Sequence, residues 1–301
     1  MAKALVTGGA GFIGANLTRA LLDRGDEVHV VDTLVASTRE QVPQGAVLHE
    51  VDIRNTEELI PLCTGVEYLF HCAALPRVQF SIKNPMETHA VNITGTLSVL
   101  EAARQANVGR VVYSASSSAY GDQKILPLVE SMAAQPKSPY GLQKYVGELL
   151  CRVWSEVYEL PTVSLRYFNV YGPGLDPDGP YALVIGKFLA QRKRREAFTI
   201  TGDGEQTRDF THVRDVVRAN LLAAESSKVG KGEVLNIGAG RCVSIKKLAE
   251  LIGGPVNFVP ARLEPKHTKA DAGLAKELIG WEPSVLFEDG IAELKKEWGL
   301  S

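Results

Sequence analysis

Clustered metal-ligand residues are missing from this sequence. Its six histidines form no HxxxH or HxH set, so no metal site is expected. The four cysteines, Cys63, Cys72, Cys151 and Cys242, are scattered without a CxxC pair. They read as free thiols in a reducing compartment. No apolar run is long enough to span a bilayer, and Met1 leads directly into the first strand without a signal peptide. A cytoplasmic location is the expectation, with no membrane partner. Neither sign of charge dominates. A net charge of −2 over 301 residues gives no electrostatic footprint for nucleic acid. The one dense basic run, Arg192–Arg195, reads as a solvated helix end where cations complement the dipole. Internal repeats and low-complexity linkers are also missing. One large α/β domain or two smaller ones remain.

What is present is organised around Lys3–Gly14, KALVTGGAGFIG. Ala4-Leu5-Val6 is a short apolar run that reads as a buried strand. Gly8, Gly11 and Gly14 follow at three-residue spacing and lead into ANLTRALLDRG, which has helical periodicity. Glycine lets a backbone turn tightly against a pyrophosphate, and the free amides of a helix N-terminus face its negative charge. EVHVVD supplies a second strand closed by Asp32, 18 residues past Gly14, near the spacing of an acid that binds an adenosine ribose. The alternative is a glycine turn that packs helix on sheet without a ligand.

Strand and helix patterns then alternate. VLHEVDI (47–53), VEYLFHCAA (66–74), RVVYSASSS (110–118) and PTVSLRYFNV (161–170) read as strands. NTEELIPLC, capped by Asn55, a long helix through residues 85–104, and SPYGLQKYVGELLCRVWSEVY (138–158) separate them. Strands apolar on both faces in β-α-β order predict a Rossmann-type, doubly wound parallel sheet. YGPGLDPDGPY marks a break after Asn169. The predicted organisation is a Rossmann domain over 1–170, to which a segment about 211–238 returns. A smaller mixed α/β substrate domain covers 171–301.

Tyr140 and Lys144 lie four apart on the 138–158 helix and hence on one face. Ser138-Pro139 fixes where that helix starts. An ammonium close to a phenol favours phenolate and lowers its pKa from near 10, which would let the tyrosine take a proton from a sugar hydroxyl. One βα unit earlier, SASSSAYG places Ser114, Ser116, Ser117 and Ser118 at a strand's carboxyl end, where ligands bind in open parallel sheets. Some of these serines can equally satisfy their own backbone.

TGGAGFIG, Asp32, Asp52-Ile53, HCAA (71–74), Asn92, SASSSAYGD, SPYGLQK, RYFNVYGP, GDGEQTRDFTHVRDV and AKELIGWEP together resemble the extended short-chain dehydrogenase/reductase family, and within it the nucleotide-sugar 4-epimerases. The resemblance covers nearly the whole chain in order. It implies NAD as cofactor and 4-epimerisation of a UDP-hexose, UDP-glucose/UDP-galactose, through a transient 4-keto intermediate. Gly8, Gly11, Phe12, Ile13 and Gly14 would hold the pyrophosphate, and Asp32 the ribose, favouring NAD over NADP. Asp52 and Ile53 would flank adenine. Ala73, Ala74, Asn92, Tyr140, Lys144 and Tyr167 would line the nicotinamide half. Tyr140 would be the base. Ser116, with Ser118 as a second candidate, would bond the sugar hydroxyl. Asn169 would contact the sugar nucleotide diphosphate, and Lys187, Arg208 and Arg262 its phosphates or uridine. Pairing of the helices at 85–104 and 138–158 with their copies would give a homodimer. Other readings keep Asp52 as a helix cap, Arg208-Asp209 as a local ion pair and Asn169 as a turn residue.

The sequence departs from the family pattern in three places. Dehydratases and decarboxylases carry an acid before the Tyr-Gly of the strand end, and here that slot is Ser-Ser-Ala, which favours epimerisation. PARLEPKHT alters the C-terminal arginine motif, which bears on Arg262 and Glu264. Thr268 stands where a bulky residue excludes N-acetyl groups, so its small side chain predicts that N-acetylated sugars also enter. A nucleotide-sugar 4,6-dehydratase or reductase, and a non-catalytic NAD-sensing protein, are the competing readings.

Overall fold

The structure is a computed structural model and describes residues 1–175, 184–260 and 266–300. Its frame follows from short apolar strands that alternate with amphipathic helices. β1 (Lys3–Thr7), α1 (Phe12–Asp23), β2 (Glu27–Val31), β3 (Val47–His49), α2 (Thr56–Cys63) and β4 (Tyr68–His71) come first. α3 (Val78–Lys83), α4 (Pro85–His89), α5 (Gly95–Gln105), β5 (Arg110–Ser116), α6 (Pro139–Tyr158) and β6 (Thr162–Tyr167) follow. A seventh strand, Lys231–Ile237, completes one parallel sheet. The strand order is seventh, β6, β5, β4, β1, β2, β3. Successive strands therefore step outward in opposite directions from β1 and β4, which leaves a crevice at their carboxyl ends. This is the Rossmann-type doubly wound sheet that the β-α-β pattern predicts.

The strands are apolar on both faces because helices cover both. Ala4 and Val6 pack with Leu17 and Leu21 of α1 and with the helix α8 (Val213–Glu225), reached after α7 (Val184–Lys193). Leu5, Leu69 and Val111 pack on the opposite face with Leu59 of α2, Leu100 of α5 and Cys151 of α6. A further core gathers Phe188, Phe198, Phe210, Leu248, Phe287 and Leu294 from the C-terminal half.

Three elements differ from the sequence reading. β3 ends at His49, where the Val51 amide turns back onto the His49 carbonyl (3.0 Å). The 85–104 helix contains a π-helical turn, Ala90–Thr94, between α4 and α5. There the Thr96 hydroxyl donates to the Asn92 carbonyl (2.8 Å), a side-chain bond that competes with the regular ladder. The short α3 has too few periodic positions to stand out in the sequence.

α6 is fixed to β6 by a buried bidentate ion pair. Arg166 Nε donates to Glu148 Oε1 (2.9 Å) and one terminal nitrogen to Oε2 (2.7 Å), with the guanidinium 4.5 Å from the Tyr120 ring centroid. Both residues are almost fully buried. Glu148→Ala leaves the guanidinium uncompensated in a low-dielectric interior, and chemical denaturation should show a loss of about 3–5 kcal/mol. A loss below 1 kcal/mol would mean that water reaches the pair.

Candidate active site

The turn after β1 is closed on itself. Gly8 sits at φ +69°, and a Cβ there would lie 2.7 Å from the Ala73 nitrogen. A Cβ on Gly14 would lie 2.1 Å from the Gly8 carbonyl oxygen. No side chain caps the N-terminus of α1, where Phe12, Ile13 and Gly14 form the first turn. Asp32, just past β2, reaches back over the turn. Its carboxylate accepts the Ala10 amide (3.1 Å), the Leu34 amide (2.9 Å) and the Ser37 hydroxyl (3.1 Å). Bare amides, a backbone that tolerates no side chain and one acid at the next strand end fit a dinucleotide pyrophosphate and ribose.

Asp52 is held by Arg54 through paired side-chain bonds, and the guanidinium keeps its carboxyl below the usual range. Asn55, not Asp52, caps α2. Ile53 is buried against Gly95.

The loop that carries Ala73 and Ala74 is gripped from behind. The Ala73 amide donates to the Thr7 hydroxyl (3.3 Å), which pairs with His71 Nδ1 (2.7 Å). His71 Nε2 meets the Thr96 hydroxyl (3.0 Å). Thr96 gives its proton to the Asn92 carbonyl, so Nε2 carries the histidine proton and Nδ1 accepts from Thr7. Burial pushes His71 down to about 3, so it stays neutral in this chain. Asn92 is itself buried, with its amide turned to Leu75 and Gln143.

Ser116, Tyr140 and Lys144 converge at the carboxyl end of β5. Ser138 caps α6 by accepting the Gly141 amide (3.1 Å), and Ser81 of α3 accepts the Tyr140 amide (3.0 Å). Tyr140 is thereby fixed at the start of its helix. Its phenol lies close to Ser116, whose Oγ accepts the Ser118 amide (3.2 Å). Lys144 is buried one turn further on. Its Nζ donates to the Ser114 carbonyl (2.7 Å) and lies 4.9 Å from the Tyr113 ring centroid. Burial lowers this lysine to about 8. Burial also pushes the Tyr140 phenol up, with the nearby Ser116 hydroxyl as the opposing influence. The expected depression of the phenol by its neighbouring ammonium is thus corrected: the ammonium is engaged by a backbone carbonyl instead. Tyr167 is buried, and its hydroxyl donates to Asn220 (2.9 Å) and meets Ser114 (3.2 Å).

The remaining candidates line the C-terminal side. Asn169 occupies a left-handed backbone position, φ +28°, and donates to the Asp209 carbonyl (3.3 Å). Arg208 donates to the Thr207 carbonyl (2.9 Å). Its neighbour Asp209 forms no ion pair with it. That buried carboxylate accepts the amides of Ala239 (2.9 Å), Gly240 (3.0 Å) and Ala270 (2.8 Å), pinning three segments together. The Thr268 hydroxyl accepts the Asp209 amide (3.3 Å). Lys187 is exposed on α7. Arg262 and Glu264 lie outside the described residues. Sequence reasoning missed Ser81, Asp209, Asn220 and Gln143. Each acts on a partner distant in sequence, so no local pattern marks it.

Residues 4–238 match the model of the NAD dependent epimerase/dehydratase family. The UDP-glucose 4-epimerase of Thermotoga maritima, solved with UDP-glucose, is 38% identical with a TM-score of 0.92, covering 99% of this chain and 98% of that one. The UDP-N-acetylglucosamine 4-epimerase of Methanobrevibacter ruminantium is 34% identical with a TM-score of 0.93 over 99% and 98% of the two chains. The UDP-glucuronic acid 4-epimerase of Bacillus cereus, solved with UDP-glucuronic acid and NAD, is 33% identical with a TM-score of 0.90 over 99% of each. The glycine cradle, its acid and these matches agree: the chain belongs to the NAD dependent epimerase/dehydratase family, and NAD is its cofactor.

Proposed function

We propose that the protein interconverts UDP-hexoses by epimerisation at carbon 4, with UDP-glucose and UDP-galactose as the first candidates. The observation that carries this reading is the gathering of Ser116, Tyr140 and Lys144 at the carboxyl end of β5, with Tyr140 pinned through its amide to Ser81 and Lys144 through its ammonium to the Ser114 carbonyl. Gly8, Gly11, Phe12, Ile13, Gly14 and Asp32 hold NAD at the pyrophosphate and ribose, with Asp52 and Ile53 toward the adenine. Ala73, Ala74, Asn92 and Tyr167 shape the nicotinamide side. Bound NAD supplies the acceptor and donor of the carbon-4 hydrogen, so that the sugar passes through a 4-keto form, and a cationic ring whose field favours phenolate. Tyr140 takes the proton of the 4-hydroxyl and gives it back on the other face. Ser116, with Ser118 beside it, holds that hydroxyl in line. Asn169, Lys187 and Arg208 anchor the diphosphate while the sugar turns, and Arg262 is assigned to the same group by resemblance. No carboxylate stands in the Ser117–Ala119 turn that follows Ser116, which disfavours water elimination or decarboxylation.

The division of labour follows the chain. Residues 1–170, with 211–238, form the cofactor part, and 171–301 cover the sugar nucleotide. A second copy docks through α5 and α6, where Leu97, Leu142 and Val153 are exposed. All four cysteines are free, in keeping with a reducing compartment such as the cytoplasm.

The test is direct. The purified protein is incubated with UDP-glucose, UDP-galactose and their N-acetyl counterparts without added NAD, and products are separated by chromatography. Interconversion within a pair supports the reading. A 6-deoxy product or soluble NADH overturns it. Because Thr268 is small, the two pairs should turn over within about tenfold of each other, one pocket methylene being worth roughly 10–200-fold. Strict preference for the non-acetylated pair would refute that role of Thr268.

A further inference from the structure

Gln143 stands between the two proposed catalytic side chains on α6, three residues after Tyr140 and one before Lys144, and is buried. Its side chain points into the junction of α6 with α4 and the π-helical turn. Gln143 Nε2 donates to the Thr88 hydroxyl oxygen (2.9 Å), and Oε1 accepts from Asn92 Nδ2 (2.8 Å). The amide orientations are dictated by the partners. The Leu75 amide donates to Asn92 Oδ1 (2.8 Å), so Nδ2 must be the nitrogen that faces Leu75 O (3.2 Å) and Gln143. Thr88 gives its proton to backbone carbonyls of Asn84 or Pro85 (3.2 Å each), so its oxygen can only accept from Gln143. Each side-chain polar atom of Thr88, Gln143 and Asn92 is matched, with no freedom to flip.

The path connects two places the reaction needs in register. At one end is the helix turn that carries Tyr140 and Lys144. At the other is Leu75, directly after Ala73 and Ala74. The Asn92 amide grips both the N–H and the C=O of Leu75, as a neighbouring strand would. Serine, threonine or alanine at 143 would be too short to reach both Thr88 and Asn92.

We infer that Gln143 is a positioning residue: it sets the distance between the Ala73–Leu75 cofactor loop and the Tyr140/Lys144 turn. This rests on the epimerase reading for its effect on rate, but its effect on NAD does not. A proton carrier is not implied, since both amides keep their protons.

Two variants test it. Gln143→Met removes the strut, leaves one Asn92 Nδ2 hydrogen without its acceptor and the Thr88 oxygen without its donor, and so also lowers the melting temperature. Gln143→Met combined with Thr88→Val makes the Thr88 side apolar, leaves only the Asn92 hydrogen unmatched and should bring the melting temperature part of the way back toward the parent value. If Gln143 positions the loop, the double variant still binds NAD about tenfold more weakly. Its kcat falls by about ten- to a hundredfold, while KM for the UDP-sugar stays within about twofold. Gln143→Glu, which keeps length but loses the donor to Thr88, should fall between parent and Met. Recovery of NAD affinity and kcat together with the melting temperature in the double variant would overturn the proposal. If the parent epimerises nothing yet the double variant still loses NAD affinity, the strut stands and the epimerase reading falls.

Discussion

Tyr140→Phe should reduce turnover of the UDP-sugar by about 10²- to 10⁴-fold while NAD stays bound. The backbone of residue 140 does not depend on its phenol. Ser138 and Ser81 hold the first turn of α6 through the Gly141 and Tyr140 amides, and neither bond changes in the variant. The glycine cradle and Asp32 are held by their own contacts, none of which involves the phenol. What disappears is one oxygen close to Ser116. Because burial favours the protonated phenol, the parent rate should climb as pH rises and more of the base ionises. The variant should lack that limb. Initial rates by chromatography between pH 6 and 9, together with NAD content of the desalted protein, decide it. Near-normal activity would remove Tyr140 as the base, and loss of NAD would recast it as a binding residue.

What the sequence made legible follows from the range of the interactions. The cradle was legible because it is local: a strand, four glycines and the start of a helix within twelve residues leave few alternatives. The α6 start was legible for the same reason, since Ser138 and Pro139 act within one turn. The parallel, doubly wound class of the sheet follows from the β-α-β rhythm. The state of the phenol was not legible. Spacing places Lys144 on the face of Tyr140, but whether its ammonium meets the phenol or the Ser114 carbonyl is decided by β5, 30 residues away in sequence. Asp209 shows the same limit. Beside Arg208 in sequence it suggests an ion pair, yet the fold brings it three amides from 30, 31 and 61 residues away. The π-helical turn was hidden too. It coincides with a hydroxyl of Thr96 that serves both Asn92 and His71, and helical periodicity carries no trace of that.

Lys144→Met should lower turnover by about 10²–10³-fold and yet make the cofactor-stripped protein more stable at neutral pH. Burial depresses the lysine from 10.5 to about 8. The folded protein therefore binds fewer protons than the unfolded chain between those values, and its stability rises with pH across that window. Below pH 8 the buried ammonium carries its full penalty, up to about 3 kcal/mol. Methionine removes the penalty but also the bond to the Ser114 carbonyl, worth about 1 kcal/mol, so a net gain of about 1–2 kcal/mol is expected at pH 7. That gain should shrink as pH rises from 8 toward 10.5, since the parent sheds its own penalty there. Urea denaturation of both proteins at pH 7, 8, 9 and 10 reads it. A variant less stable than the parent at every pH would mean that the ammonium is net stabilising where it lies. A gain that stays constant with pH would place the effect in packing and not in charge. The expected pattern, lower activity with higher stability and a gap that closes with pH, identifies a charge kept in the interior against its own solvation because turnover uses it.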